Sequence, residues 1–176
     1  MARPGFVLAA CVAVMLLGAG CGSQREAGLT LRISIWGDVQ EQKRVEDAVK
    51  GFEAANPGVN VDIEAVPAVK IAGGITAYEQ KLIVLIAAQD APDVMYLPRD
   101  RYQFYAEKGA ILNLEPFIEE SGGAKGFSPE MLEGMEISGG TYGLAKDADT
   151  VYTISVQTKH PEEAWALLRY LATGGR

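Results

Sequence analysis

From residue 31 to residue 97 the hydrophobic pattern switches back and forth between a period of two and a period near 3.6. Leu31-Arg32-Ile33-Ser34-Ile35-Trp36 alternates apolar and polar positions with β-branched residues among them, which predicts a strand. Gly37-Asp38 breaks it. Val45, Ala48, Val49 and Phe52 then fall at helical spacing, predicting a helix over 40–55 that Asn56-Pro57-Gly58 stops. Val59, Val61, Ile63 and Ala65 alternate with Asn60, Asp62 and Glu64, a second strand with one solvated face. Pro67 to Gly74 reads as a loop. Ala77 to Ala88 reads as a second helix, with Tyr78, Leu82, Leu85 and Ile86 on one side, and Asp93 to Leu97 as a buried strand. A strand returns parallel to its predecessor only through a crossover. The alternation therefore predicts an α/β fold, a mostly parallel sheet with helices on both faces.

The pattern loosens after that. Pro98 to Arg101 is a loop, Tyr102 to Glu107 a short helix closed by Gly109, and a short element follows around Pro116-Phe117-Ile118. Ser121 to Gly126 is Gly-rich and expected to be mobile, and Pro129 to Met135 supplies one or two helical turns. Strands are expected over 141–145 and 152–156. A last helix starts at Pro161, with Glu162 and Glu163 at the positive end of its dipole.

The first 20 residues read as a leader. Arg3 gives a positive start, and Gly5 to Gly20 carries no charge. At about 1.5 Å per residue that stretch falls short of the roughly 20 residues that span a bilayer. Gly18-Ala19-Gly20 before Cys21 is the small-residue ending of a secretory signal. Leu17-Gly18-Ala19-Gly20-Cys21 also resembles a bacterial lipobox, in which the cysteine becomes the lipid-modified first residue. Plain secretion and an uncleaved anchor are the alternatives. Residues 1–20 are then a lipoprotein signal peptide, 21–28 a small, polar tether, and 29–176 the folded lobe.

Composition narrows the chemistry. Lys and Arg number 16 against 23 Asp and Glu, a formal charge of -7, which argues against a nucleic-acid binder. The single histidine, His160, precedes a helix-starting proline, a capping position. With only Cys11 and Cys21 besides, there is no set for a zinc site, a Cys-His nucleophile or a disulfide framework. No phosphate-cradling Gly-x-x-x-x-Gly-Lys-Ser/Thr loop occurs, and no two acids stand out as a glycosidase pair. No catalytic residue, metal or cofactor is expected.

In an open α/β sheet, ligands bind beyond the carboxyl ends of the strands. That rule selects Trp36-Gly37-Asp38, Pro98-Arg99-Asp100-Arg101 and Lys146-Asp147-Ala148-Asp149. Sugars need such a mixture: carboxylates and guanidinium groups pair with hydroxyls, and an aromatic ring covers the apolar face of a pyranose. Each residue also has a plainer reading. Trp36 can be core packing, Asp38 and Asp100 helix caps, and Lys146 to Asp149 a solvated charge run.

Several of these stretches together carry a resemblance. They are Trp36-Gly37-Asp38, the run Phe52-Glu53 to Asn56-Pro57-Gly58-Val59, Ala91-Pro92-Asp93-Val94-Met95-Tyr96, and Tyr105 to Leu114. Gly140-Thr141-Tyr142-Gly143-Leu144-Ala145-Lys146-Asp147 and Lys159-His160-Pro161-Glu162-Glu163-Ala164-Trp165 complete the set. The pattern resembles bacterial extracellular solute-binding proteins of sugar importers, relatives of the maltodextrin-binding proteins. The resemblance implies a periplasmic-binding-protein-like lobe that binds a sugar or oligosaccharide without catalysis. It implies delivery to an ABC permease from outside the cytoplasm, on a lipid anchor at Cys21. It assigns ligand contact to Asp38, Asp100, Arg101 and Asp147; Trp36 matches a polar position in the maltodextrin-binding relatives. Family members are longer and two-lobed. Here the segment that crosses between lobes ends at Thr150 and the return strand begins at Val151, so the second lobe is expected to be missing between them. The other reading is a non-transporting surface or sensor lobe that binds a protein partner, or the product of a decayed gene.

Overall fold

The structure, a computed structural model, describes residues 28–67 and 76–175. The leader, Cys21, most of the tether and the Gly73-Gly74 pair lie outside the described residues. Strand β1 (Leu29–Trp36) leads into α1 (Val39–Ala55), β2 (Val59–Val66), α2 (Ala77–Ala87) and β3 (Val94–Pro98). Short helices α3 (Tyr102–Glu107), α4 (Glu115–Glu120) and α5 (Pro129–Leu132) follow, with a 3-10 turn at Gly123–Gly126 where the sequence suggested a mobile stretch. Then come β4 (Glu136–Ile137), β5 (Gly140–Thr141), β6 (Leu144–Ala145), β7 (Thr150–Ile154) and α6 (Pro161–Thr173).

The central sheet has five strands in the order β2-β1-β3-β7-β6. β1 pairs in parallel with β2 and with β3, as the alternation predicts. The other half is antiparallel: β7 runs against both β3 and β6. The cause is local. Only Lys146 to Asp149 separate β6 from β7, and a connection that short makes a hairpin, not a crossover. β6 therefore points the same way as β1 and β3.

The strand expected over 141–145 is split. β5 pairs with β4 in a small separate ribbon, and β6 joins the main sheet. Tyr142 and Gly143 make the corner. The Tyr142 N–H donates to the Tyr102 hydroxyl at 2.9 Å. A Cβ on Gly143 would lie 2.6 Å from Val151 Cγ1 and 2.7 Å from the Tyr152 carbonyl oxygen, so the strand lies this close to β7 only with glycine there.

Along β1, Leu31, Ile33 and Ile35 are fully buried and share one face by the period of two. α1 contacts β1, β2 and α6, and α6 in turn contacts β7. Val45, Val49 and Phe52 supply the buried stripe of α1, and Ala164, Trp165, Leu167 and Leu168 that of α6. Ser34 and Trp36 face the other way, toward α2, whose Tyr78 ring meets Trp36 edge-on at 5.0 Å. Helices thus flank the sheet. No helix among the described residues is long and apolar enough to cross a membrane.

Candidate functional site

The carboxyl ends of β1, β3 and β6 lie at one edge of the sheet, so the three loops singled out in the sequence converge there. One backbone bond ties two of them directly: the Arg99 N–H donates to the Asp149 carbonyl at 2.9 Å.

At the first loop, Asp38 is exposed and is the N-cap of α1, its Oδ1 accepting from the Glu41 N–H at 2.8 Å. The glycine before it is needed for space, since a Cβ at residue 37 would sit 2.6 Å from Glu41 Cβ. Trp36 is half-buried, its ring edge-on to Tyr78 and, at 5.7 Å, to Tyr96. The packing reading of Trp36 and the capping reading of Asp38 thus both hold, and each residue still borders the edge.

At the second loop, the capping role considered for Asp100 falls away. The residue at the N-cap of α3 is Arg101, with no side-chain cap bond, and Asp100 is exposed. Arg101 reaches back to Glu79 in α2, Nε to Oε1 at 3.5 Å, and lays its guanidinium over the Phe104 ring at 5.2 Å.

At the third loop, Asp147 Oδ1 accepts from the Asp149 N–H at 3.0 Å and its Oδ2 from Lys146 Nζ at 2.8 Å. Lys146 is no member of a solvated charge run. Its side chain is only 18% exposed and Nζ also meets Glu41 Oε1 at 3.2 Å. Burial works against both charges. The Lys146 bonds to Asp147 and Glu41 outweigh it and hold the ammonium above the ordinary lysine range. The bonds from Lys146 and the Asp149 N–H likewise hold the Asp147 carboxyl below the ordinary range.

Beneath these loops lie residues that the strand-end rule does not reach. Glu41 is 7% exposed, accepts the Tyr96 hydroxyl at 2.9 Å and pairs with Arg44 as well as Lys146. Tyr96 stacks edge-on with Tyr152 at 5.2 Å, and burial drives its hydroxyl far above the ordinary tyrosine range. Glu79 is 3% exposed. Their signal was present: Asp38-x-x-Glu41 and Thr76-x-x-Glu79 both have capping-box spacing, and the second forms the full box.

The result is an open shelf with a half-buried aromatic ring, the exposed carboxylates of Asp38, Asp100 and Asp147, a guanidinium and an ammonium, underlain by buried carboxylates. His160 sits at the N-cap of α6 without a side-chain cap bond. Among the described residues no three His, Cys, Asp or Glu side chains come together as a metal site. Two open grooves lie away from the shelf, of about 530 Å³ and about 260 Å³, sharing Ser121 and Arg169 in their walls.

The sequence profile of the family described as bacterial extracellular solute-binding protein matches residues 36–134. Among solved structures, the chain is similar to a family 1 extracellular solute-binding protein from Alicyclobacillus acidocaldarius. The identity is 31% and the TM-score 0.54, over 69% of this chain and 28% of that one. It is also similar to the sugar-binding protein MalE from Xanthomonas citri, at 26% identity and a TM-score of 0.55, over 65% of this chain and 27% of that one. An ABC substrate-binding protein from Listeria monocytogenes, solved in complex with cycloalternan, shares the fold at 24% identity and a TM-score of 0.57, over 68% of this chain and 29% of that one. The chain thus spans under a third of the length of these relatives.

Proposed function

The chain belongs to the bacterial extracellular solute-binding proteins, and on that premise we propose that it is a lobe that binds a carbohydrate at the carboxyl edge of its sheet, without catalysis. The observation that carries the reading is the convergence of Trp36–Asp38, Asp100–Arg101 and Lys146–Asp147 at that edge, on a base held by Glu41 and Glu79. Such a shelf offers a half-buried aromatic ring and paired hydrogen-bonding groups, the chemistry a pyranose needs. Asp38, Asp100, Arg101 and Asp147 are the proposed hydroxyl contacts, and Trp36 a stacking surface. Structures of the same fold solved with cycloalternan and with mannobiose make oligosaccharides the first ligands to try.

In this reading residues 29–176 form a single lobe, the second being missing between 150 and 151, and the chain hands its ligand to an ABC permease. Cys21 is the lipid-modified residue that holds it outside the cytoplasm. Two acyl chains anchor a protein stably where one does so only marginally. Cys21→Ser protein is expected to leave the membrane fraction; its retention there, processed at the same site, would refute the anchor.

One lobe covers about half of a ligand that two lobes would enclose. Forgoing several hydrogen bonds at about 1 kcal/mol each loses a factor of ten per 1.4 kcal/mol. Calorimetry is therefore expected to give a dissociation constant of about 1 mM or weaker for the chain as a monomer. Micromolar binding to the monomer would contradict the single-lobe reading. The short span also favours a second reading, a non-transporting surface lobe for a protein partner. Two permease genes beside this gene support transport, and a sensor-kinase gene supports the alternative.

A further inference from the structure

A buried carboxylate is costly unless its oxygens are engaged. Glu79, 3% exposed, divides its two oxygens between two tasks. Oε2 accepts from the Thr76 N–H at 3.2 Å and closes the capping box at the head of α2. That task needs no charge, because glutamine serves equally in the motif. Oε1 faces Arg101 Nε at 3.5 Å, too far for a hydrogen bond but close enough for ion pairing. Glu79 Oε1, Arg101 Nε and the Tyr105 hydroxyl are all buried without a hydrogen-bond partner among the described residues. Burial first, and the Glu79 charge second, push the Tyr105 hydroxyl up to about 12, which keeps it protonated beside the pair. The rest of Arg101 is different. Its side chain is 40% exposed and its guanidinium carbon lies 5.2 Å from the Phe104 ring centroid.

We propose that Glu79 is the positioning residue of the shelf: its charge holds the inner end of the Arg101 guanidinium while Phe104 supports the flat face. The proposal rests on the carbohydrate reading for what Arg101 touches. A guanidinium held at Nε and lying on a ring has few orientations left, so its outer nitrogens are ordered before a ligand arrives. Ordering donors in advance removes that cost from binding. Glu79 touches no ligand itself; it acts through Arg101.

The test uses the full chain labelled with 15N-arginine. In the wild type the Arg101 Nε–H is expected to give a resonance with restricted motion and slow solvent exchange, with no ligand added. Glu79→Gln keeps the capping box, so the melting temperature should hold, yet the Arg101 signal should become mobile. Affinity for an oligosaccharide such as mannobiose should fall about tenfold, the effect of 1.4 kcal/mol. In an Arg101→Lys background the same Glu79→Gln change should alter affinity less than about twofold, because the group it positions is gone. A mobile Arg101 Nε–H in the wild type would overturn the proposal. So would an unchanged affinity in Glu79→Gln, or an equal loss in the Arg101→Lys background. If no sugar binds the wild type, the carbohydrate reading fails while the arginine resonance still decides the positioning claim.

Discussion

Tyr78→Ala is expected to cost about 4 kcal/mol of folding stability, a large share of the roughly 5–15 kcal/mol that a domain has. Tyr78 is 1% exposed, and its hydroxyl lies 2.9 Å from the carbonyl oxygens of both Ser34 and Tyr96. One side chain on α2 thus bridges β1 and β3 where the two strands approach the shelf, and its ring supports Trp36 at 5.0 Å. Removing the ring leaves a cavity between helix and sheet and takes away the one hydroxyl proton that the Ser34 and Tyr96 carbonyls share. Tyr78→Phe separates the parts: it keeps the ring and should cost only about 1–2 kcal/mol. Burial holds the hydroxyl far above the ordinary tyrosine range, so the bridge does not titrate at physiological pH. Urea denaturation of both variants checks the pair. A Tyr78→Ala cost under about 1 kcal/mol would mean that the helix does not rest on the sheet as described.

The second large effect is expected at Lys146. Lys146→Met leaves the Glu41 carboxylate buried with Tyr96 and Arg44 as its remaining partners. Removing one member of a buried pair costs about 3–5 kcal/mol where nothing else compensates, and Tyr96 and Arg44 bring this case to about 2–3 kcal/mol. Neutralising the abandoned partner should recover most of the loss, so Glu41→Gln/Lys146→Met should be more stable than Lys146→Met alone. Additive losses in the double variant would show that the two charges are not coupled. The effect belongs to function as well as stability, because this pair ties the β6–β7 loop to the head of α1 under the proposed site.

The first half of the fold was legible because period and burial coincide there. Leu31, Ile33 and Ile35 alternate and are fully buried, and Val45, Val49 and Phe52 recur at helical spacing on the buried stripe of α1. The second half was not, since its elements are too short to show a period. β5 and β6 have two residues each, and the corner between them depends on Gly143 packing against Val151, a contact that no local pattern announces. β7 runs against β6 because a four-residue loop closes a hairpin, but its antiparallel pairing with β3 joins distant parts of the chain, which no local pattern announces. At the shelf, the strand-end rule selected Trp36, Asp38, Asp100, Arg101 and Asp147 because it depends only on topology, and the strand directions bring their loops to one end of the sheet. It passed over Glu41 and Glu79 because their spacing marks them as helix-capping residues. Their added role arises only when Tyr96, Lys146 and Arg101 arrive from distant parts of the chain.

The most direct measurement is a titration of the 15N-labelled full chain with oligosaccharides, read amide by amide. Saturable shifts are expected at Trp36 to Asp38, Arg99 to Arg101 and Lys146 to Asp149, with a midpoint of about 1 mM or higher. Shifts confined to the Ser121–Arg169 grooves, or no shift with any sugar at tens of millimolar, would contradict carbohydrate binding at the sheet edge.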